Sequence, residues 1–185
     1  MNGMRDRPAR RAKTWHLDAS GNALIEAALV FPLLFILFFG VSELCEGFIA
    51  KRRLERAAFT ASDLVARLQT VNETDLVALK SIIDATIKPF PIATVGLVVT
   101  SVVADAQNVA AVAWSAAFGP GVTAHASGTP MALPANLILP NSSVIVAEVR
   151  YTFQSTLSTF IVGGVPLQAQ AYQQPRFAQQ VAWTN

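Results

Sequence analysis

The sequence predicts an α+β fold, in which a long N-terminal helix precedes a small domain with a mostly antiparallel sheet. Two observations lead to this prediction. Residues 23–42 are mostly apolar and carry no charge apart from Glu26, and segments rich in Val and Thr with alternating polarity recur after residue 94. The chain has 185 residues, so there is room for one folded domain of ordinary size beyond the apolar run.

Residues 1–21 form a basic leader, which we predict to be disordered and cytoplasmic. No aromatic or groove-reading motif accompanies its charges, so we interpret it as a topology signal and expect no nucleic acid as a partner. A second basic group, at residues 51–56, follows the apolar run. Positive charge therefore flanks both ends, and the positive-inside rule does not by itself set the orientation.

Residues 22–43 are predicted to be a transmembrane helix that begins near Ser20 or Asn22, either of which can act as an N-cap. About 20 residues at roughly 1.5 Å each span the ~30 Å hydrocarbon core of a bilayer. Two alternatives are a buried helix of a soluble domain and a cleaved secretory signal. The first rarely runs this long without a polar face, and the second has a shorter apolar region and a small-x-small cleavage site.

Two residues inside this span stand out. The Glu26 carboxylate is costly in lipid unless it is paired, protonated or near the headgroups, which makes it a candidate assembly contact. The plainer alternative is that Glu26 lies at the headgroup level or is protonated. Pro32 removes one backbone donor, and we predict a helix kink there.

Residues 44–69 are predicted to continue the same helix in amphipathic form, since neither Pro nor Gly occurs from Phe48 to Gln69. The apolar residues that recur at helical spacing are Leu44, Phe48, Leu54, Ala58, Ala61, Val65 and Leu68. This stripe is a surface on which a domain can pack.

Residues 70–185 are predicted to be an extracytoplasmic α+β head domain. Its helix starts at an Asn72 cap with an acidic first turn and stops before Pro89 and Pro91. Apolar residues at helical spacing within it are Leu76, Leu79, Ile82, Ile83 and Ile87.

Four strands are expected in the head domain, at residues 94–103, 108–118, 144–153 and from Val165 to about Tyr172. Residues 119–134 form a loop by composition, and residues 154–162 are predicted to be a short helix. The third strand places Glu148, Arg150 and Thr152 on the face opposite its apolar residues. The predicted core comprises Trp114, Ile145, Val149, Tyr151, Phe153 and Leu167.

The residues indicate no catalytic site, no cofactor and no metal site. His16 and His125 are the available neutral-pH bases, and His125 lies in a loop without a nucleophile motif, so we interpret it as an exposed loop histidine. Cys45 is the only cysteine, which excludes an intrachain disulfide and a multi-cysteine zinc site.

The segment from Gly21 to Arg67 resembles the TadE-like family of pseudopilins, minor components of the tight-adherence (Flp, type IVb) pilus apparatus. The matching residues are Gly21, Glu26 with Ala27-Ala28-Leu29-Val30, Pro32 with Leu33-Leu34, Gly40, Glu43 and Arg53 to Ala58. The resemblance implies a pilin-like fold and a non-enzymatic role in pilus assembly.

The resemblance also implies a processing site. A prepilin peptidase would cut after Gly21, which makes Asn22 the new N-terminus and Glu26 the fifth mature residue. The implied location is the bacterial inner membrane, single-pass, with the C-terminal domain in the periplasm and with incorporation into a pilus as an option. The implied partners are other pseudopilins, pilus assembly platform proteins, the prepilin peptidase and inner-membrane lipid.

Two alternatives stay open. An uncleaved, TadG-like membrane component shares the anchor pattern without the processing step. A membrane-tethered envelope enzyme or glycan-binding domain would use the anchor only as a tether.

Overall fold

The computed structural model describes residues 19–154 and 163–184, and it shows an α+β chain with a long N-terminal helix and a four-stranded antiparallel sheet. The elements in chain order are α1 (Ala19–Ala66), β1 (Thr70–Val71), α2 (Glu73–Ile87), β2 (Gly96–Ala104), β3 (Ala110–Phe118), β4 (Ser143–Phe153), β5 (Val165–Gln173) and β6 (Ala182–Trp183). The predicted fold class is confirmed. By its internal contacts the chain divides into a first unit that ends at Ser42 and a second that begins at Glu43.

In the first unit, every side chain from Ala23 to Ser42 is exposed. Within the described part of the chain, one helix, Ala23–Ala66, is long and apolar enough to cross a membrane. Aromatic side chains extend along it, with ring centroids 4.6 Å apart for Phe31 and Phe35 and 5.7 Å apart for Phe35 and Phe39. An exposed apolar surface of this kind is what a lipid or a neighbouring apolar helix would cover.

In the second unit, helix α1 is buried along one stripe that begins at Ala50 and includes Leu54, Ala58, Ala61 and Val65. The predicted stripe is therefore confirmed over residues 54–65 and wrong at its two ends. Leu44 and Phe48 are exposed, and the first buried side chain of α1 among the described residues is that of Ala50. Leu68 lies beyond the last helical residue, Ala66, and is also exposed.

Helix α2 begins at the predicted cap. The Asn72 side chain accepts a hydrogen bond from the Asp75 backbone N–H at 2.9 Å, and the Asp75 carboxylate accepts one from the Asn72 N–H at 3.1 Å. This capping box satisfies backbone donors that the first turn of a helix leaves unpaired. The helix buries Leu76, Leu79, Ile83 and Ile87, but Ile82, which was predicted with them, is 46% exposed.

The sheet has the strand order β3-β2-β4-β5, with every neighbouring pair antiparallel. Val149 in β4 pairs with Leu97 in β2 and Ala169 in β5, so its side chain lies in the middle of the sheet. The predicted core residues Trp114, Ile145, Val149, Tyr151 and Phe153 are buried against α1 and α2, and Leu167 is partly buried there. The helices therefore cover one face of the sheet, as expected.

The opposite face of the sheet is also partly buried, which the sequence did not predict. Val102, Val144 and Val146 form a second apolar cluster with Ile138, and Met131 and Leu133 pack against it. The segment after β3 therefore lies over this face. Glu148, which was predicted on a polar face, is only 7% exposed, whereas Arg150 is exposed.

The chain after β5 returns to the end of helix α1. The Arg176 N–H donates to the Ala66 carbonyl at 2.9 Å, and β6 pairs in parallel with β1. The buried Trp114 indole N–H donates to the Val181 carbonyl at 2.7 Å. This C-terminal segment, residues 174–184, ties the end of α1 to the sheet. The helix predicted at residues 154–162 lies, apart from Gln154, outside the described residues.

Candidate functional site

The predicted site residues all belong to the first third of helix α1. Gly21 and Asn22 lie near its start, because the helix begins at Ala19, close to the start predicted near Ser20 or Asn22. Glu26 and Pro32 follow along the same helix. At about 1.5 Å per residue, Gly21 and Pro32 are separated by roughly 16 Å along the axis. The residues therefore form a linear arrangement along one helix.

Glu26 is exposed, and within the described residues its carboxylate has no hydrogen-bond or ion-pair partner. Its neighbours Leu24, Ile25 and Leu29 are all more than 60% exposed. A single carboxylate therefore interrupts an apolar surface. In lipid such a charge requires a partner from another molecule or access to the headgroup layer, because burying it unpaired is costly.

Pro32 lies inside α1, and the helical assignment continues on both sides of it. Proline has no backbone N–H, so the Ala28 carbonyl loses the hydrogen bond that residue 32 would otherwise donate to it. The Ala28 carbonyl therefore lacks its usual donor, within the apolar half of the helix. The kink at Pro32, like the processing and assembly roles of Gly21, Asn22 and Glu26, stays a prediction.

The sequence predicted that His125 is an exposed loop residue, but the structure shows that its side chain contacts Glu148. Its Nε2 lies 3.3 Å from Oε2 of Glu148, and Oε1 of Glu148 accepts a hydrogen bond from the Gln170 amide at 2.6 Å. Tyr172 donates its hydroxyl to Gln170 at 3.0 Å. The buried carboxylate is therefore satisfied by side chains of a loop and of β5. The sequence missed this contact because 23 residues separate the partners and a loop carries no periodicity.

This network holds the loop to the sheet. The Oγ of Ser115, in β3, accepts from the His125 backbone N–H at 3.1 Å and contacts Thr100 Oγ1 at 2.8 Å. The imidazole contact of His125 is with Glu148, and the hydroxyl of Ser115 has other partners. The arrangement is therefore that of a structural clamp rather than a histidine-activated nucleophile.

The described residues contain no group of three or more His, Cys, Asp or Glu side chains that could hold a metal ion. On the helix-covered face of the sheet, burial raises the pKa of Tyr151 above its usual value, because the phenolate form would lose its hydration. Tyr151 packs in the apolar core, so this shift reflects its environment and not a reaction.

Comparison with known proteins matches residues 21–63 to the model of the TadE-like protein family. The match begins at Gly21, includes Glu26 and Pro32, and ends within the part of α1 that belongs to the head. The resemblance predicted for this segment is thereby confirmed, while residues 64–185 lie outside the match. No curated protein and no solved structure matches the chain.

Proposed function

We propose that this protein is a minor pseudopilin, a non-enzymatic membrane-anchored component that takes part in assembling a tight-adherence (Flp, type IVb) pilus. The main support for the proposal is that the family match and an exposed apolar surface with one carboxylate lie on the same helix. The family match at residues 21–63 falls on the helix whose side chains from Ala23 to Ser42 are all exposed, and this stretch contains Glu26, which has no partner among the described residues. A simple tether needs apolar residues, but it does not need a carboxylate among them.

The proposed location is the bacterial inner membrane. The basic leader stays in the cytoplasm, residues 22–43 cross the bilayer and the head lies in the periplasm. This orientation is supported by the Arg-rich leader and by the single described helix that is able to span a membrane. The head then presents its sheet, its C-terminal segment and its loop network outside the cytoplasm.

Processing after Gly21 would create an α-amine at Asn22, four residues before Glu26 in sequence. In an assembly, the amine of one subunit can lie against the Glu26 carboxylate of its neighbour. The attraction between such charges is much stronger in an apolar bundle than in water, but desolvation offsets much of the gain. The contact would therefore determine register and partner choice more than raw stability.

The proposal is tested by exchanging the span. The full chain, tagged after Asn185, is purified in mild detergent from a host that makes the pilus. A variant is purified in the same way, in which an apolar Leu/Ala sequence without Glu26 and Pro32 replaces residues 23–42. We expect other pseudopilins and assembly platform proteins to co-purify with the natural chain. They should be strongly depleted with the exchanged span, although both chains reach the membrane.

Equal recovery of partners with both spans would mean that the anchor is only a tether. A hydrolytic or glycan-binding activity of the full chain that survives the exchange would then favour the envelope enzyme or glycan-binding alternative. Recovery of the partners with an intact leader would favour the uncleaved, TadG-like alternative.

A further inference from the structure

The basic residues that follow the span do not all have the same environment. Lys51 donates to the Gln168 carbonyl and lies 3.8 Å from the Glu55 carboxylate. Arg53 donates to the Thr86 carbonyl at 3.3 Å and to the Lys88 carbonyl, at the end of α2. These two cations therefore have partners within the head and help to hold α1 in place.

Arg52 and Arg56 differ from them. Both side chains are exposed, and among residues 19–154 and 163–184 neither has a hydrogen-bond or ion-pair partner. They are four residues apart, so they lie on the same side of the helix as each other. Phe48 and Ile49, which are 62% and 50% exposed, precede Arg52 on this side. We name Phe48, Ile49, Arg52 and Arg56 the arginine stripe.

The residues of the arginine stripe line a surface groove whose walls are partly apolar and partly cationic. Its four residues, together with Arg53, line a depression of about 480 Å³. The stripe lies on the side of α1 away from the buried residues Leu54 and Ala58, so the head does not cover it. Glu55, the nearest carboxylate in sequence, is engaged by Lys51. Among the described residues, the guanidinium groups of Arg52 and Arg56 therefore have no carboxylate partner in this groove.

The position of the stripe along the helix points to the membrane surface. Nine residues, about 13 Å of helix, separate the predicted end of the span at residue 43 from Arg52, and the exposed apolar side chains of Leu44, Phe48 and Ile49 lie between them. Side chains of a helix lean toward its N-terminus, which here is the direction of the span. Long arginine side chains also extend their charged ends to the nearest polar layer. The headgroup layer is roughly 5–7 Å thick on each side, so Arg52 is the nearer of the two arginines to it and Arg56 lies about one helical turn beyond.

We propose that the arginine stripe binds the phosphate groups of anionic phospholipids in the leaflet that faces the head. A guanidinium donates two parallel hydrogen bonds to a phosphate, and Phe48 and Ile49 can contact the upper acyl chains beside it. Phosphatidylglycerol leaves the phosphate charge uncompensated, whereas phosphatidylcholine carries its own ammonium. The stripe should therefore prefer the anionic lipid. This inference requires the membrane span but not the pilus role.

The charge distribution of the chain gives independent support. Basic residues just outside the span oppose the orientation signal of the leader, because cytoplasmic loops normally carry the excess of Lys and Arg. Lys51 and Arg53 are explained by their contacts within the head. Arg52 and Arg56 have no such contacts in the described chain, and an anionic leaflet supplies the partner that they lack.

The test uses the purified full chain in a mild detergent, with equimolar phosphatidylglycerol and phosphatidylcholine added, and counts retained lipids by native mass spectrometry. The natural chain should retain phosphatidylglycerol preferentially. Each arginine replaced by glutamine should lower this preference about fivefold, the factor expected for one basic side chain near an anionic surface. R52K/R56K should keep most of the preference, since it keeps the charge.

Arg150→Gln is the matched control, because Arg150 is an exposed arginine on the sheet without a partner among the described residues. It should leave the lipid preference unchanged. The proposal is overturned if R52Q/R56Q retains the lipids of the natural chain, or if Arg150→Gln lowers the preference as much. Loss of a co-purifying acidic protein without a change in lipid preference would instead identify a protein as the occupant. None of these readouts depends on a pilus.

Discussion

At the scale of single residues, Val149 and Arg150 are neighbours in β4 with opposite environments. Val149 is fully buried between the sheet and the helices, and Arg150 is exposed. Val149→Asp would place an unpaired carboxylate in the core and should lower the free energy of unfolding by several kcal/mol, roughly 3–5. Arg150→Asp introduces the same side chain on the exposed face and should change the free energy of unfolding by less than about 1 kcal/mol.

Thermal unfolding of the full-length variants in detergent, followed by near-ultraviolet circular dichroism, measures this difference. If Val149→Asp unfolds at the same temperature as Arg150→Asp, the assignment of the buried face of β4 is wrong.

Of the predicted site residues, Glu26 is the one whose charge the proposed function requires. Glu26→Gln keeps the shape of the side chain but removes the charge that an Asn22 amine of a neighbour would need. We expect membrane insertion and processing to be unaffected, and the number of pili per cell and the recovery of partner pseudopilins to fall at least severalfold. Glu26→Asp should retain part of the function.

Glu46→Gln is the matched control for this substitution, since Glu46 is an exposed carboxylate on the same helix beyond the span. It should assemble normally. Normal assembly of Glu26→Gln would show that Glu26 only marks the boundary of the headgroup layer.

Much of this residue-level detail follows from local chemistry. The Asn72 and Asp75 capping box was predictable because both partners lie within one helical turn. The pairing of His125 with Glu148 was not, because it depends on where a loop without periodicity returns to the sheet. Local patterns identify which face a strand residue occupies, but they do not show what covers that face.

At the scale of elements, helix α1 shows where periodicity stops being informative. The sequence predicts the helix and its stripe from Leu54 to Val65, which the structure confirms. It also placed Leu44 and Phe48 on the packed stripe, although both are exposed. An apolar residue near a membrane can face lipid as well as protein, so hydrophobic spacing alone does not show where the head begins to pack.

The shortest elements were not predictable for a different reason. Strands β1 and β6 have two residues each, and they pair across more than 100 positions of the chain. Two residues carry no alternation to detect. The Arg176 contact with Ala66 and the burial of Val181 hold the C-terminal segment beside β1, where β6 pairs with it.

The start of α1 bears on the predicted processing step. The bond between Gly21 and Asn22 lies inside the helix, within a few residues of its first residue, Ala19. Terminal turns lack some backbone hydrogen bonds, so unwinding this end to reach a peptidase should cost little. In a host with an active prepilin peptidase, N-terminal sequencing should begin at Asn22.

Gly21→Lys should leave the leader attached, because a bulky charged residue then precedes the cleaved bond. Gly21→Ala, a small residue, is the matched control and should be processed. An intact Met1 in the natural chain from such a host would contradict the prediction and support an uncleaved component.

At the scale of the whole molecule, the anchor and the head were recognisable to different degrees. The family match stops at residue 63, so the anchor is assigned by resemblance and the head by physical reasoning from strands, turns and caps. The α+β class and the antiparallel sheet followed from those patterns. The second apolar cluster, around Val144 and Val146, could not be predicted in this way, because the residues that cover it belong to the segment between β3 and β4.

The orientation of the whole chain is the last prediction. The leader should be cytoplasmic and everything after about Glu43 external. A reporter that is active only outside the cytoplasm should therefore be active when it is fused after Asn185. The same reporter fused ahead of the leader should be silent. Long domains translocate largely regardless of their own charge, so the head itself should not oppose this arrangement.

The charges that flank the span make this prediction sensitive to the leader. Basic residues lie on both sides, and Arg52 and Arg56 favour the reverse orientation. Replacing the leader residues Arg5, Arg7 and Arg10 by Gln should therefore produce a mixed population, with part of the reporter activity lost. Restoring Lys at these positions should restore a single orientation. A silent reporter after Asn185 in the natural chain, with an active cytoplasmic reporter at the same position, would show that the orientation is reversed.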